Sequence, residues 1–503
     1  MKQQSLFIEE QNSINNWKVS CFSADNFNCQ DARLEIEEKY IKITEVTDLF
    51  NRQSVSYQLS KKDILHKWLK YKEGFSADLV RQLLKDFKIK KGEIVIDPFI
   101  GSGTTALVCR MNGINSIGYD ILPMSKVAID AKEAVYQYDI EEIRNVINLI
   151  QSMVIPNNYT EITQSVSITK NAYPLETERE ISYFTEFFNN SNYSSEIKNL
   201  VTLCFLNSLE RASYSAKDGQ YLRWDYRCPK IIAAEKQRLI AGKKPFATRL
   251  DKGELPAIKI TVITELQTVL EDIIEIKRLR NDFNEQPRCS FWNSSALYEL
   301  PKLEDNIISG VITSPPYCNR YDYTRTYALE LAYLGVGETE LKRLRQDLLS
   351  CTVENKSKID YLKEHYRTLG KVNEFENILG IAQNNKTLKE INSALSNRNL
   401  NGDINNKGVL KMVDGYFTEL TFIYAELFRL CKSGAQVAFV NDNVRYGGEV
   451  IPVDFLSTEL AEQIGFIPVR IYTLKQQKGN SSQQMKKFGR IALRKSITIW
   501  KKP

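Results

Sequence analysis

Early in the chain, the spacing of apolar residues changes from helical to strand-like and back. Residues 76–87, SADLVRQLLKDF, have apolar side chains three or four positions apart, which predicts an amphipathic helix. An apolar run at 93–97 predicts a strand, and 104–112 predicts a second helix that Gly113 ends. NSIGYD then predicts a strand that ends at Asp120. Strand, helix and strand in this order indicate a βαβ unit and a parallel sheet.

The rest of the chain alternates between long helical stretches and short apolar runs. Residues 125–285 are predicted to be mostly helical, with an irregular basic stretch at 214–256, and strands follow at 289–292 and 307–313. Residues 338–408 are predicted to form polar helices that end in the loop NRNLNGDINNKG. The last predicted elements are an amphipathic helix at 411–431 ended by Lys432-Ser433-Gly434, a strand at 435–440, a helix at 453–464 and two strands, IPVRIYTL and RKSITIW. The fold class that we expect is therefore α/β, with one mostly parallel sheet and mainly helical insertions.

Composition and charge narrow the class of protein. The chain has 503 residues, 43% hydrophobic and 26% charged, as in soluble globular proteins with more than one core unit. The net charge of +6 is compatible with a polyanionic partner. No apolar run is long enough to span a membrane, and the start, MKQQSLFIEEQNS, has acidic residues where a secretory signal needs an apolar core. We expect a cytoplasmic protein that does not bind membranes.

Cysteine and histidine usage argues against a metal site. The nine cysteines are scattered without a C-x-x-C pair, so neither a zinc ribbon nor a disulfide framework is indicated. The only histidines are His66 and His365, too few for a multi-histidine metal centre and a poor basis for a Ser-His-Asp triad. We expect no metal.

The first stretch with chemical content is DPFIGSGTTALVCRMNG, residues 97–113. A strand runs into Gly101-Ser102-Gly103 and a helix follows at once, so the backbone can approach a ligand and the helix N-terminus offers free N–H groups. The stretch is neither a P-loop nor a full G-x-G-x-x-G fingerprint. Asp120 ends the next strand, where a ribose diol is expected in a nucleoside-binding unit. Plain strand-to-helix geometry is the alternative for the turn alone.

The second stretch is TSPPY, residues 313–317, directly after the strand VIT. Two prolines end a β ladder because neither has an N–H to donate, and they hold the turn's carbonyl groups rigidly. Rigid acceptors beside Tyr317 at a strand end could bind a flat polar ligand. A simple strand-ending turn is the alternative.

The pair D-P-F-x-G-S-G-T-T and T-S-P-P-Y resembles the signature of the DNA amino-methyltransferases. The resemblance covers about 61–125, 288–335 and 411–501 and implies a Rossmann-like methyltransferase sheet that binds S-adenosylmethionine. The segments it implies are an N-terminal polar segment (1–60), the cofactor-binding half (61–125), a helical insertion that is the candidate DNA-recognition region (126–287), the catalytic half (288–337), a second helical insertion (338–410) and the C-terminal part of the sheet (411–503).

The resemblance also implies roles for individual residues. The residues implied to contact the cofactor are Phe75, Asp97, Phe99, Gly101, Gly103, Thr104, Asp120 and Ser294. Asp120 would accept from the ribose hydroxyls. Two positions depart from the family pattern: Ser76 replaces a proline after Phe75, and Ser294 stands where an acidic residue near adenine is usual.

The implied reaction is methyl transfer to the exocyclic amine of a flipped DNA base, and the residues of TSPPY suit it. The Ser314 hydroxyl and the Pro315 carbonyl would accept from the amine, Pro315 and Pro316 would keep them rigid, and Tyr317 would stack on the base. Within the family, S-P-P-Y favours cytosine N4 over adenine N6. No Pro-Cys dipeptide occurs, which argues against the cytosine C5 class.

A basic stretch with interleaved aromatic residues indicates a DNA partner. Residues 217–252 hold ten Lys/Arg and four Asp/Glu with interleaved aromatics, which suits double-stranded DNA, although a solvated surface is the plain alternative. The candidate DNA-contacting residues are Arg223, Arg227, Lys230, Lys243, Lys244 and Arg249. The loop 475–490 could also reach DNA, and a cognate restriction endonuclease is a possible partner. The rival functions are an RNA guanine methyltransferase and a catalytically silent DNA-binding subunit.

Overall fold

The computed structural model describes residues 22–51, 53–71, 73–162, 165–218, 221–247, 249–279, 287–474, 487–489 and 491–503. Its central sheet has eight strands in the order β1-β11-β12-β8-β7-β2-β3-β6. The strands of the chain are β1 (Thr44–Thr47), β2 (Ile94–Asp97), β3 (Asn115–Tyr119), β4 (Ser215–Asp218), β5 (Tyr221–Trp224), β6 (Cys289–Trp292), β7 (Ile308–Thr313), β8 (Cys431–Asp442), β9 (Val444–Tyr446), β10 (Glu449–Ile451), β11 (Ile467–Leu474) and β12 (Lys495–Lys501).

Neighbouring strands of the sheet run parallel except β12, which is antiparallel to β11 and to β8. The predicted Rossmann-like α/β fold is confirmed. The parallel strands β8, β7, β2, β3 and β6 lie side by side, so their carboxyl ends meet at one edge of the sheet. In open α/β sheets, ligands bind at this edge.

Helices cover the sheet and form both insertions. They are α1 (Asp31–Tyr40), α2 (Tyr57–Ser60), α3 (Ala77–Asp86), α4 (Thr104–Met111), α5 (Pro123–Glu133), α6 (Ile140–Ser152), α7 (Leu175–Asn190), α8 (Ser195–Ala212), α9 (Pro229–Ile240), α10 (Ile258–Leu279), α11 (Ala296–Glu299), α12 (Tyr323–Thr326), α13 (Ala328–Tyr333), α14 (Glu338–Asp347), α15 (Ile359–Thr368), α16 (Val372–Asn384), α17 (Lys386–Leu400), α18 (Gly408–Leu430) and α19 (Val453–Ile464). Ser76 caps α3 by accepting from the Leu79 N–H, so the serine that replaces the family proline has a structural role.

The first insertion packs directly on the cofactor half. Its helix α10 packs on both α6 and α8, and α8 also packs on α5 and α13. One buried cluster joins apolar residues of the insertion, such as Phe205, to Leu107 of α4 and Leu329 of α13. Burial of this continuous apolar surface fixes the insertion to the edge of the sheet that carries the predicted site.

The basic stretch 214–256, predicted to be irregular, has regular structure. It contains the antiparallel hairpin β4–β5 and the helix α9. Strands of four residues offer too few positions for an alternating pattern to be recognised.

Three other segments also differ from the predicted elements. The Asn-rich segment 397–408 is partly helical, because α17 continues to Leu400 and buries Arg398 in an ion pair with Glu449. Lys432-Ser433-Gly434, predicted to end a helix, lies in β8. The polar N-terminal segment supplies β1, which pairs with β11 at the edge of the sheet.

Candidate active site

The glycine turn after β2 has a backbone that other residues could not adopt without strain. Gly101 has φ +53° and Gly103 has φ +84°. A Cβ atom on Gly101 would lie 2.9 Å from Cε1 of Tyr71, and one on Gly103 would lie 2.6 Å from Cγ1 of Ile129. The turn leads directly into α4, which begins at Thr104. Glycine is therefore required at both positions, because the positive φ angles disfavour a side chain and neighbouring side chains occupy the space that a Cβ atom would need.

Asp120 lies beside this turn, at the end of β3. Its Oδ2 accepts from the Gly101 N–H at 3.1 Å and its Oδ1 from the Leu122 N–H at 2.7 Å. Burial raises the pKa of Asp120 to about 6, against the opposing effect of these hydrogen bonds. A carboxylate oxygen has more than one acceptor site, so the side chain can still accept from two hydroxyl groups.

A cleft opens over the turn and Asp120. It brings together most of the residues predicted from the sequence. The predicted residues in its lining are Phe75, Phe99, Gly101, Thr104, Asp120, Ser294, Ser314 and Pro316. The cofactor motif and the double proline therefore share one cavity.

Four predicted residues do not line this cleft: Asp97, Gly103, Pro315 and Tyr317. Asp97 is 1% exposed and accepts from the hydroxyls of Thr105 at 2.7 Å and Thr313 at 2.6 Å. These bonds tie β2 to α4 and β7, while burial raises the pKa of Asp97 to about 6. The structure thus places Asp97 beneath the site as a support. Gly103 acts through its backbone, and Pro315 and Tyr317 flank the cleft residues Ser314 and Pro316.

The Ser314-Pro315-Pro316-Tyr317 turn is held against the neighbouring strand β8. The Ser314 hydroxyl lies 3.3 Å from the Val440 carbonyl oxygen of β8 and 3.3 Å from the Tyr317 hydroxyl. Both prolines are buried. The turn is therefore fixed against β8, which suits a rigid set of acceptors.

Lys495 and Asp442 support the Tyr317 ring, and neither residue was predicted from the sequence. Lys495 Nζ lies 5.0 Å from the ring centroid of Tyr317 and 3.4 Å from Oδ1 of Asp442. Burial alone would lower the pKa of Lys495. The Asp442 carboxylate and Tyr317 have the larger combined effect, so the pKa of Lys495 is raised. Lys495 is thus a cation beside the ring. The one available signal was the position of Asp442 at the end of a strand next to β7.

Other lining residues were also missed from the sequence. They are Tyr71, Glu73, Tyr323, Leu348 and Leu349, among others. The last two follow α14, so the second insertion forms part of the cleft wall. Ser294 donates to Oε1 of Glu299 at 2.9 Å, which brings an acidic side chain next to the position where the family has one.

The predicted DNA-contacting residues have different surroundings. Arg227 donates to both carboxylate oxygens of Asp225 at 2.8 Å. Lys230 donates to the Ile168 carbonyl at 2.6 Å and lies 3.2 Å from the Trp224 ring centroid. Arg249 pairs with the Glu235 carboxylate at 2.7 Å on the surface, and Arg223, Lys243 and Lys244 are exposed. Arg227 and Lys230 thus have protein partners that hold the basic stretch in shape.

Three further observations concern the described part of the chain. Of the loop 475–490, residues 475–486 and 490 lie outside the described residues. Among those that are described, no group of three or more His, Cys, Asp or Glu side chains is placed to hold a metal ion. No described helix has the length and apolar character needed to cross a bilayer.

Comparison with known proteins agrees with this geometry. A family model described as DNA methylase matches residues 14–128. The chain is 54% identical over 489 residues to the type II methyltransferase M.BsoBI of Geobacillus stearothermophilus, covering 97% of this chain and 95% of that protein. It is 36% identical over 476 residues to the type II methyltransferase M.AvaI of Nostoc sp., covering 93% and 92%. No solved structure matches the chain.

Proposed function

The chain belongs to the type II DNA methyltransferases of the N6/N4 family, and we propose that it methylates cytosine N4 in double-stranded DNA. The observation that carries this proposal is the shared cleft. Ser314 and Pro316 line the same cavity as the glycine turn and Asp120, so an acceptor for a base amine and an acceptor for a nucleoside face one space. A DNA-binding subunit without activity has no need for this arrangement.

S-adenosylmethionine is the methyl donor in this family, and the residues of the cleft fit it. It supplies an electrophilic methyl group when bound. Asp120 has acceptor sites left for a ribose diol, and the glycine turn leads directly into the N-terminus of α4. Phe99 and Leu297 provide apolar surface for the adenine ring. We assign the cofactor to this cleft.

The chain's own residues would activate the amine by accepting its hydrogens. An exocyclic amine is a poor nucleophile because its lone pair is delocalised into the ring. We assign the acceptor roles to the Ser314 hydroxyl and the Pro315 carbonyl, which can hold the amine in one orientation. Since the prolines are buried and the turn is fixed to β8, these dipoles need not reorganise during the reaction.

Tyr317 would stack on the flipped base, with Lys495 and Asp442 holding its ring in place. Base–aromatic stacking contributes about 1–3 kcal/mol and tolerates either base. The choice of cytosine N4 over adenine N6 therefore rests on the serine at position 314 and on the resemblance that favours it. Adenine N6 is the alternative within the family.

The proposed DNA-contacting module consists of the hairpin β4–β5, the helix α9 and the described residues between α9 and Lys252. The strand β5 packs against α12, which follows the TSPPY turn by a few residues. Arg223, which belongs to β5, therefore lies in a strand next to the catalytic segment. Phosphate contact suits Arg223, Lys243, Lys244 and Arg249 because they are exposed, whereas Arg227 and Lys230 would contribute by holding the module in shape.

The proposed setting is a restriction–modification system in the cytoplasm, with a cognate endonuclease that cleaves the same sites when they are unmethylated. This part of the proposal rests on the names of the similar proteins, which are type II methyltransferases.

The proposal is tested by mapping modified bases in DNA from cells that express only this methyltransferase. We expect N4-methylcytosine at one short sequence and none with an Asp120→Ala chain, the control for cofactor dependence. N6-methyladenine at that sequence would overturn the choice of base. Unmodified DNA together with methylguanine in RNA would overturn DNA as the substrate, and a wild-type chain that binds no cofactor would favour the silent subunit.

A further inference from the structure

Glu73 is a carboxylate in the wall of the cleft that the reaction described above does not use. It lies in the connection YKEGF before α3, between the cleft residues Tyr71 and Phe75. Ser314 and Pro316 line the same cavity. Glu73 therefore shares one cavity with the glycine turn and the TSPPY residues that line it.

Tyrosine rings hold Glu73 in this position. The Tyr327 hydroxyl donates to Oε2 of Glu73 at 2.7 Å. The ring of Tyr327 stacks on that of Tyr71, with centroids 5.4 Å apart and planes 4° from parallel. Tyr71 in turn lies against Gly101 of the glycine turn. The carboxylate is thus fixed relative to the turn, as a side chain that binds a ligand must be.

Within the described residues, Glu73 forms no ion pair. Lys217 is near, but its ammonium pairs with the buried carboxylate of Glu330 and lies 4.4 Å from the Tyr327 ring centroid. Burial raises the pKa of Glu73, and the hydroxyls of Tyr321 and Tyr327 oppose this only in part. A partly buried carboxylate without its own cation is costly, and a cationic ligand group would remove that cost.

Two other carboxylates near the turn, Asp97 and Asp120, do not suit this role. Asp97 is buried beneath the cleft and accepts from Thr105, Thr313 and the Phe99 N–H. Asp120 already faces the ribose position. Of the two acidic side chains that line the cleft among the described residues, Glu73 is the one without an assigned ligand group.

We propose that Glu73 binds the α-ammonium group of the methionine part of S-adenosylmethionine. The inference rests on the proposed binding of S-adenosylmethionine in this cleft. It adds a residue that recognises the amino group of the cofactor's methionine part. An ammonium–carboxylate hydrogen bond is the stronger kind, and the tyrosine rings suit a cation as well. Glu73 is a cofactor-positioning residue in this assignment.

The test is calorimetry of the full-length chain with S-adenosylhomocysteine and its des-amino analogue, which keeps the carboxylate and lacks only the ammonium. We expect Glu73→Gln to weaken S-adenosylhomocysteine by about 10- to 100-fold and to leave the des-amino analogue within about twofold. The wild-type preference for the amino compound should disappear in the variant. Asp347→Asn removes a charge from the cavity beside Ser294 and is the matched control, with its preference for the amino compound unchanged.

Two outcomes would overturn the assignment. An equal loss for both ligands in Glu73→Gln would mean that the variant disturbs the cleft as a whole. A loss for S-adenosylmethionine alone, with S-adenosylhomocysteine unaffected, would mean that Glu73 responds to the sulfonium charge. Tyr327→Phe is the milder variant: it removes the hydroxyl that holds Glu73 and keeps the stacked ring, so we expect it to lower the same preference by about 3- to 10-fold.

Discussion

Replacing Asp120 by asparagine should separate cofactor affinity from stability. The variant keeps the size of the side chain and removes its charge. It also places an amide N–H₂ against one of the two backbone N–H groups that the carboxylate now accepts, those of Gly101 and Leu122. A hydrogen bond to a charged group contributes about 1.5–3 kcal/mol, so S-adenosylhomocysteine should bind about 10- to 100-fold more weakly.

The stability of the variant should change little, because two effects oppose each other. The pKa of Asp120 is raised to about 6, which means that folding disfavours the ionised form. A raised carboxyl pKa makes the charge destabilising above about pH 6 and harmless below the unfolded value of about 4. Asparagine removes this penalty and loses one backbone hydrogen bond of about 1 kcal/mol. We expect a melting temperature within about 3 °C of wild type at pH 7.5.

The same pKa predicts how cofactor affinity depends on pH. Ribose hydroxyls need an ionised acceptor, so wild-type affinity should be constant above the Asp120 pKa of about 6 and fall below it. The expected fall is about tenfold for each pH unit. Calorimetry from pH 8 to pH 5 measures this, and the asparagine variant should lose the part of the fall that Asp120 causes. A variant that keeps the full wild-type pH profile would assign the titration to another carboxyl with a raised pKa, Asp97 or Glu73, and would refute the reasoning.

Three further predictions concern DNA and the reaction. Neutralising Lys243, Lys244 and Arg249 together should weaken DNA binding and lower the slope of log Kd against log salt by about 0.9 for each phosphate that the variant no longer binds, as fluorescence anisotropy measures. An unchanged slope would mean that these three cations do not contact phosphates, and the second insertion would then be the next candidate for DNA contact. Pro315→Ala keeps the carbonyl but frees the backbone, so kcat should fall far more than KM rises in steady-state assays. Tyr317→Phe should keep substantial activity, and Tyr317→Ala should lose about 1–3 kcal/mol in kcat/KM. If Pro315→Ala and Tyr317→Ala both react at wild-type rates, the two prolines only end the strand and have no role in holding the amine.

Long periodic segments of the fold were predictable from the sequence. The helix 453–464 and the strand 467–474 agree with α19 and β11 residue for residue. Apolar residues recur through both segments, because most of α19 and the second half of β11 are buried. The βαβ unit from 93 to 120 was predictable for the same reason, with Gly113 ending the helix.

Short elements in polar surroundings could not be predicted, because their stability comes from distant partners. The hairpin β4–β5 has strands of four residues, and its Lys217 is neutralised by Glu330, more than a hundred positions away. The end of α17 looks like a loop in the sequence, yet Arg398 is buried there by Glu449 and Asp25. Charged residues of this kind follow no periodicity, so the pattern of apolar positions provides no signal for them.

The candidate site also combines residues that the sequence indicates with residues that only the folded chain brings together. Gly101, Asp120 and Ser314 stand at the ends of adjacent parallel strands, and strand ends can be located from sequence. Leu348 and Lys495 reach the site from an insertion and from the last strand, which only the folded chain brings to the cleft or the ring beside it. Glu73 had a local signal in its position two residues before Phe75, but nothing in the sequence indicated that it faces the cavity.

The buried ion pair of Lys217 and Glu330 decides how variants of the basic module should be interpreted. Lys217 belongs to β4 and Glu330 to α13, and their side chains are 4% and 3% exposed. Removing one partner of a buried pair leaves the other uncompensated, which costs about 3–5 kcal/mol. Since Tyr327 contacts both Lys217 and Glu73, such a change would disturb the wall of the cleft as well as the hairpin. Weak DNA binding in a Lys217 variant would therefore not identify a phosphate contact. Only the exposed cations of this module can report on DNA, because their replacement leaves the core and the cleft intact.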